Sequence, residues 1–167
     1  MRQGISEAEF ISLFKEHHQQ VKNYIYYKTG DVDLADDVVQ DTFLKFWEKK
    51  NDVRMNTAKA LLFTIAGNLS LNKLEHKKVV FQFANRFMQS PFVNSPEFEM
   101  ELKEFDHKLQ RTIADLHEKN RVVFLMNRID GMTYQEIADN IGVTVKAVEK
   151  RMKKALDYIT EKIECKV

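Results

Sequence analysis

Little in this chain could tie it down covalently or interrupt a helix. Its 167 residues include one cysteine and two prolines. Cys165 by itself excludes an internal disulfide and any zinc site built from several cysteines, so a free thiol in a reducing compartment is expected. The histidines are scattered, and there is no glycine-rich phosphate loop. Cys165 also lacks a partnered base. No catalytic residue, metal, cofactor or small-molecule substrate is therefore expected. No apolar run approaches the roughly 20 residues of a spanning helix, and the N-terminus does not read as a signal peptide, so a cytoplasmic protein is expected. A charge excess is missing as well: the formal net charge is +1.

Helical periodicity, in contrast, runs from end to end, with no internal repeat, low-complexity tract or convincing strand. Ser6 and Glu9 form a Ser-x-x-Glu capping box. Phe10, Leu13, Phe14, His17, Val21, Tyr24 and Ile25 then succeed one another at helical spacing until Gly30. His17 lies on the apolar stripe and reads as a packed histidine. A second helix opens at Asp31-Val-Asp33, with Asp33 as its cap, and buries Ala35, Val38, Val39, Thr42, Phe43, Phe46 and Trp47. Its outer face carries Asp36, Asp37, Gln40, Asp41, Lys45 and Glu48, an acidic stripe suited to solvent or to a basic partner. A polar connection, Lys49 to Asn56, leads to a third helix expected from Thr57, with Leu61, Leu62, Ile65 and Leu69 inward. Val79 to Val93 is rich in phenylalanine, and Pro91 and Pro96 break the helical pattern at its end. Helical spacing resumes from Glu97 through Leu116 and again from Val122 to Ile129.

The sharpest signal lies between Gly131 and Leu156. Thr133 and Glu136 form a second capping box, and the short helix behind it turns Ile137 and Ala138 inward. Gly142 supplies a residue that tolerates positive φ for a tight corner, and Thr144 caps a longer helix. In that helix Val145, Val148, Met152, Leu156 and Ile159 make one stripe. From Thr144 to Leu156 five Lys/Arg face one acid. A lysine run alone marks only a solvated face. The capping box, the small residue Ala138, the glycine corner and the basic helix together describe a helix-turn-helix, whose second helix enters the DNA major groove. Affinity for DNA rises with the phosphates neutralised, so this nearly neutral chain is expected to bind DNA weakly unless something else carries it there.

Two stretches carry a resemblance to a known family. DVDLADDVVQDTFLKFWEK resembles the core-binding helix of region 2 of extracytoplasmic-function (ECF) sigma factors, the minimal branch of the sigma-70 family. RVVFLMNRIDGMTYQEIADNIGVTVKAVEKRMKKAL is similar to their region 4. The resemblance implies an all-α fold of two small helical domains joined by a linker, the C-terminal one ending in the helix-turn-helix. Residues 1–78 correspond to the region 2 domain, 79–100 to the linker and 101–167 to the region 4 domain. It implies core RNA polymerase and promoter DNA as partners, with an anti-sigma factor, often membrane-bound, as an inhibitor. By the same resemblance Asp36, Asp37, Gln40, Asp41 and Lys45 dock on polymerase. Arg54 and Asn56 lie where a flipped base of the −10 element is captured, and Lys59, Asn68, Asn72 and Lys73 track the single strand behind it. Lys146, Ala147, Lys150, Arg151 and Lys154 fall where the −35 element is read, while Thr144 and Arg121 are placed for phosphates. Arg151 also lies close enough to the apolar stripe to pair within the protein. Gly67 stands where relatives commonly carry Arg, and His117 where they carry Pro. A free-standing helix-turn-helix regulator is the alternative function; it predicts tight palindromic binding without polymerase.

Overall fold

The structure, a computed structural model, describes residues 4–73 and 96–164. Cys165, the stretch around Glu75 and the apolar segment 79–93 lie outside the described residues. Seven α-helices occur among the described residues, with no strand. They are α1 (Glu7–Thr29), α2 (Val32–Lys49), α3 (Met55–Lys73), α4 (Pro96–Asp115), α5 (Glu118–Arg128), α6 (Tyr134–Ile141) and α7 (Val145–Glu164). A 3-10 turn, Lys50–Asp52, separates α2 from α3.

Local chemistry sets most helix ends. The amide of Glu9 donates to Ser6 Oγ at 3.3 Å and the amide of Ser6 donates to Glu9 Oε2 at 2.8 Å, closing the first capping box. Gly30 ends α1 at φ 68°, its amide donating to the Tyr26 carbonyl. The cap of α2 is Asp31 rather than Asp33: Leu34 N donates to Asp31 Oδ1 at 2.9 Å, and Asp31 has the extended backbone a cap needs. Asp33 sits one position inside the first turn, where its charge still complements the helix dipole. The third helix starts at Met55, two residues before the expected Thr57, and Thr57 bonds back to the Arg54 carbonyl through both its amide and its hydroxyl. Pro96 is the first residue of α4. Its missing amide costs nothing there.

α1, α2 and α3 form one set, packed on Val21, Ile25, Val38, Val39, Phe46, Leu62 and Phe63, all essentially inaccessible. Each fully buried side chain of this size contributes about 1.5–3 kcal/mol of transfer free energy. His17 is buried as expected, its Nδ1 3.3 Å from Gln20 Oε1. Gly67 of α3 faces Tyr24; a methyl there would lie 3.1 Å from the Tyr24 hydroxyl.

α4 to α7 form the second set, around Val123, Leu125, Met126, Ile137, Val148, Met152 and Ala155. Thr133 and Glu136 close the second capping box, and Gly142 turns the corner at φ 69°. The α7 stripe drifts from the expected one: Ala155 is buried and Leu156 is 37% exposed. Buried positions 148, 152 and 155 alternate steps of four and three, which keeps one line on a helix of 3.6 residues per turn. The two sets also touch: α1 packs on α5 and α3 on α6, and a single hydrophobic cluster runs through both.

Candidate nucleic-acid interface and docking face

On α7, Lys146, Lys150 and Lys154 are exposed in a single row, each a little over one turn beyond the last. Ala147 and Arg151 border this row at intermediate exposure, and Thr144 caps the helix by accepting from Ala147 N at 3.2 Å. The row has the shape a major groove admits and the charge that phosphates and guanine edges attract.

Arg121 is placed otherwise than the sequence suggested. It is 4% exposed, and its guanidinium donates to four backbone carbonyls: Tyr27 and Lys28 of α1, each at 2.9 Å, Ala114 at 3.0 Å and Leu116 at 2.9 Å. Burial, the largest influence, lowers its pKa from the ordinary arginine value, and nearby Glu118 opposes that shift. In this arrangement it does not reach a DNA phosphate.

Arg54 and Asn56 are exposed where the chain enters α3, and Asn68, Asn72 and Lys73 are exposed near its end. They do not form one strip. Asn68 and Asn72 share a face at i, i+4. Lys59 is nine residues before Asn68, about two and a half turns, and so lies on the opposite side. It is half-buried, and its charge acts on Glu136 of α6, where both Thr133 hydrogen bonds, first from its backbone and then from its side chain, lower the Glu136 pKa more than Lys59 does. Lys73 pairs with Asp41 Oδ2 at 2.8 Å. The sequence had placed these two residues in different sites.

On α2, Asp36 is in a salt bridge with Lys22 and Asp41 with Lys73, leaving Asp37, Gln40 and Lys45 exposed. Beside them lies an apolar cleft of about 560 Å³ between α1 and α2, with Ile11, Phe14, Gln40, Phe43, Leu44 and Trp47 in its lining. Leu44 is 63% exposed, Ile11 45% and Phe14 41%. A bare apolar surface rimmed by polar groups marks an interaction site. The sequence reading missed Leu44, although its i+4 relation to Gln40 puts both on one helix face.

Between the two helical sets runs a polar seam. Asp130 Oδ1 accepts from Asn23 Nδ2 at 2.8 Å and from the Tyr27 hydroxyl at 2.9 Å, while its buried Oδ2 has no hydrogen-bond partner. Burial raises the Asp130 pKa above 3.8, outweighing those two hydrogen bonds. Lys28 Nζ lies 3.1 Å from Glu118 Oε1.

Two packed helical sets, the second with a basic helix-turn-helix and the first with a bare docking cleft, define a DNA-binding protein that works on a protein partner. Comparison with known proteins agrees. Residues 13–80 match the Sigma-70 region 2 family model and residues 106–159 the Sigma-70 region 4 model. The ferric citrate uptake sigma factor FecI of Escherichia coli is 27% identical over 151 residues, covering 89% of this chain and 87% of FecI. The ECF RNA polymerase sigma factor SigL of Mycobacterium tuberculosis is 26% identical over 84% of this chain and 81% of its own. Among solved structures, CnrH in complex with the cytosolic domain of CnrY shares the fold at a TM-score of 0.64, with 24% identity and coverage of 97% of this chain and 92% of that one. The sigma factor RpoE of Bartonella quintana, in complex with the anti-sigma factor NepR, shares it at 0.61, with 18% identity and coverage of 95% and 99%. The chain belongs to the sigma-70 family of RNA polymerase sigma factors, in its ECF branch. It is an alternative sigma factor, a regulatory DNA-binding protein directing transcription initiation, and the region 2 match displaces the free-standing regulator. Among the described residues no helix is long and apolar enough to cross a membrane.

Proposed function

We propose that the chain acts in the cytoplasm by docking on core RNA polymerase through the α1–α2 face and gripping promoter DNA at two places. Asp37, Gln40 and Lys45 set the orientation of docking, and the Leu44–Phe14 cleft receives an apolar side chain of the polymerase. Charge at the rim of such a face governs encounter rate and register, while the desolvated apolar centre carries most of the affinity. Asp36 and Asp41 contribute by exchanging Lys22 and Lys73 for polymerase cations. The exchange frees Lys73 for the single strand, together with Asn68 and Asn72.

Arg54 and Asn56 hold the extruded −10 base. Flipping costs a few kcal/mol, so the pocket must return that much in stacking and hydrogen bonds. Lys146, Lys150 and Lys154 face the −35 element, with Ala147 and Arg151 at the rim and Thr144 at the phosphates. In this reading residues 1–78 work on polymerase and the −10 element and residues 101–167 on the −35 element. An anti-sigma factor is the inhibitor, in keeping with the complex known for RpoE.

The exposed lysine row on the second helix of the helix-turn-helix carries the proposal. Two variants separate its halves. Lys150→Ala should lose promoter recognition by about 1–3 kcal/mol, the worth of one good base contact, with core binding intact. Leu44→Asp should lose core binding with the fold intact, as read by circular dichroism. If Leu44→Asp binds core polymerase like the wild type, the docking face is wrongly placed.

A further inference from the structure

We infer that Glu149 selects a base in the −35 element: its carboxylate accepts a hydrogen bond from the amino group of a cytosine in the major groove. This role rests on the assignment of α7 to the −35 element and names the base that one of its side chains picks out.

Glu149 is the one acid between Thr144 and Leu156, among five Lys/Arg. It is exposed, and it is the fifth residue of α7, which begins at Val145. At about 100° per residue, the exposed arc of the first three turns runs from Glu149 through Lys153, Lys146 and Lys150 to Lys154. Val148, Met152 and Ala155 are buried on the other side. Lys146 stands one turn before Glu149 and Lys153 one turn after it, the second at the i, i+4 spacing that favours a Glu–Lys pair. Among the described residues Glu149 nevertheless makes no ion pair, so its carboxylate is open to a donor from outside.

An acid on a DNA-facing helix has one of two effects. Beside phosphates it weakens attachment to every sequence alike, because that attachment grows with the phosphates neutralised. Over base edges it discriminates. Recognition helices set their N-terminal residues on the base edges, which puts the fifth residue of α7 over bases. An ionised carboxylate only accepts hydrogen bonds. Guanine presents two acceptors in the major groove, N7 and O6, and thymine presents O4 and a methyl group, so both are rejected. Adenine offers its N6 amino group next to the acceptor N7. Cytosine alone offers a donor, its N4 amino group, with no acceptor beside it on the same base. The lysines around Glu149 suit guanines in the neighbouring pairs, since Lys donates to guanine O6 and N7. Their charge also offsets the repulsion between the carboxylate and the nearest phosphates.

The test uses holoenzyme reconstituted from core polymerase and the full-length chain. Its template is a promoter from which that holoenzyme starts, with the −35 element randomised and each copy identified by a tag in its transcript. With the wild type, one position should hold cytosine, on one strand, about tenfold over each other base, the worth of one good base contact. Glu149→Gln sets a donor beside the acceptor, the combination that matches N7 and N6 of adenine, so the preference at that position should move from cytosine to adenine. Glu149→Lys should move it to guanine. The other positions should keep their preferences, and both variants, altered at an exposed side chain, should melt as the wild type does. A wild-type preference without cytosine, or one that Glu149→Gln leaves unchanged, would overturn the base-reading role. So would a Gln variant that uses all sequences more strongly by the same factor, since the acid would then act on phosphates alone. A wild-type holoenzyme with no preference anywhere in the −35 element would overturn the assignment of α7 together with this role, so the two failures are told apart.

Discussion

The Tyr27 hydroxyl donates a hydrogen bond to Asp130 Oδ1 at 2.9 Å across 103 positions of sequence, tying the first helix to the turn before the helix-turn-helix. Tyr27 is 2% exposed, so water cannot easily take the place of a lost hydroxyl. Tyr27→Phe should lower stability by about 1.5–3 kcal/mol, the range for a hydrogen bond to a charged group. In urea unfolding this appears as a lower midpoint with an unchanged slope. An unchanged midpoint would mean the bond adds nothing net.

Asp130 gives the seam a pH dependence of predictable sign. Its pKa is raised in the packed state, chiefly by burial, with the Asn23 and Tyr27 hydrogen bonds working the other way. A carboxyl of raised pKa binds its proton more tightly when packed than when solvated. Packing is therefore strengthened as pH falls through the raised value toward the ordinary 3.8, and weakened as pH rises through the same window. Subtracting the pH profile of Asp130→Asn from that of the wild type isolates this contribution from other carboxylates. A difference profile that is flat, or of opposite slope, would contradict the assignment.

The second capping box should matter locally. Thr133 Oγ1 accepts from Glu136 N at 3.2 Å, and Glu136 Oε2 accepts from the Thr133 amide at 2.8 Å. Thr133→Ala should cost about 1 kcal/mol and raise amide exchange in α6 more than in α2. Equal change in both helices would point to a global effect rather than a lost cap.

Gly4 packs on the turn that leads into Arg54 and Asn56. A Cβ there would lie 2.6 Å from Asn51 Cα and 2.8 Å from the Lys50 carbonyl oxygen, both backbone atoms that cannot swing away. Gly4→Ala should therefore break the Ile5-to-Lys50 hydrogen bond, now 2.8 Å, and destabilise the protein by about 1–3 kcal/mol. Amide exchange at Ile5 reads the outcome; unchanged protection would refute it.

The helices, both capping boxes and the Gly142 corner were legible because each depends on residues within four positions. Asp31 and Asp33 were not told apart because both bear the right side chain. The choice falls to the backbone after Gly30, which leaves α1 in the left-handed region and reaches Asp31 extended. Arg121 misled for a different reason. A cation on a helix reads as surface, yet Arg121 is i−4 to the buried Leu125, a position that signals burial. Its acceptors are carbonyls of a distant helix, which no local pattern displays. The same holds for Asp41 and Lys73, which the chain pairs across 32 positions.

The central claim is that the helix-turn-helix reads promoters in partnership with polymerase. In transcription reconstituted from core polymerase, a genomic template pool and this chain, start-site mapping should yield a discrete promoter set. Those promoters should share a −35 sequence, and the starts should vanish with Leu44→Asp and change or weaken with Lys150→Ala. A folded chain that binds no core polymerase, or that leaves start sites where core alone places them, would contradict the account.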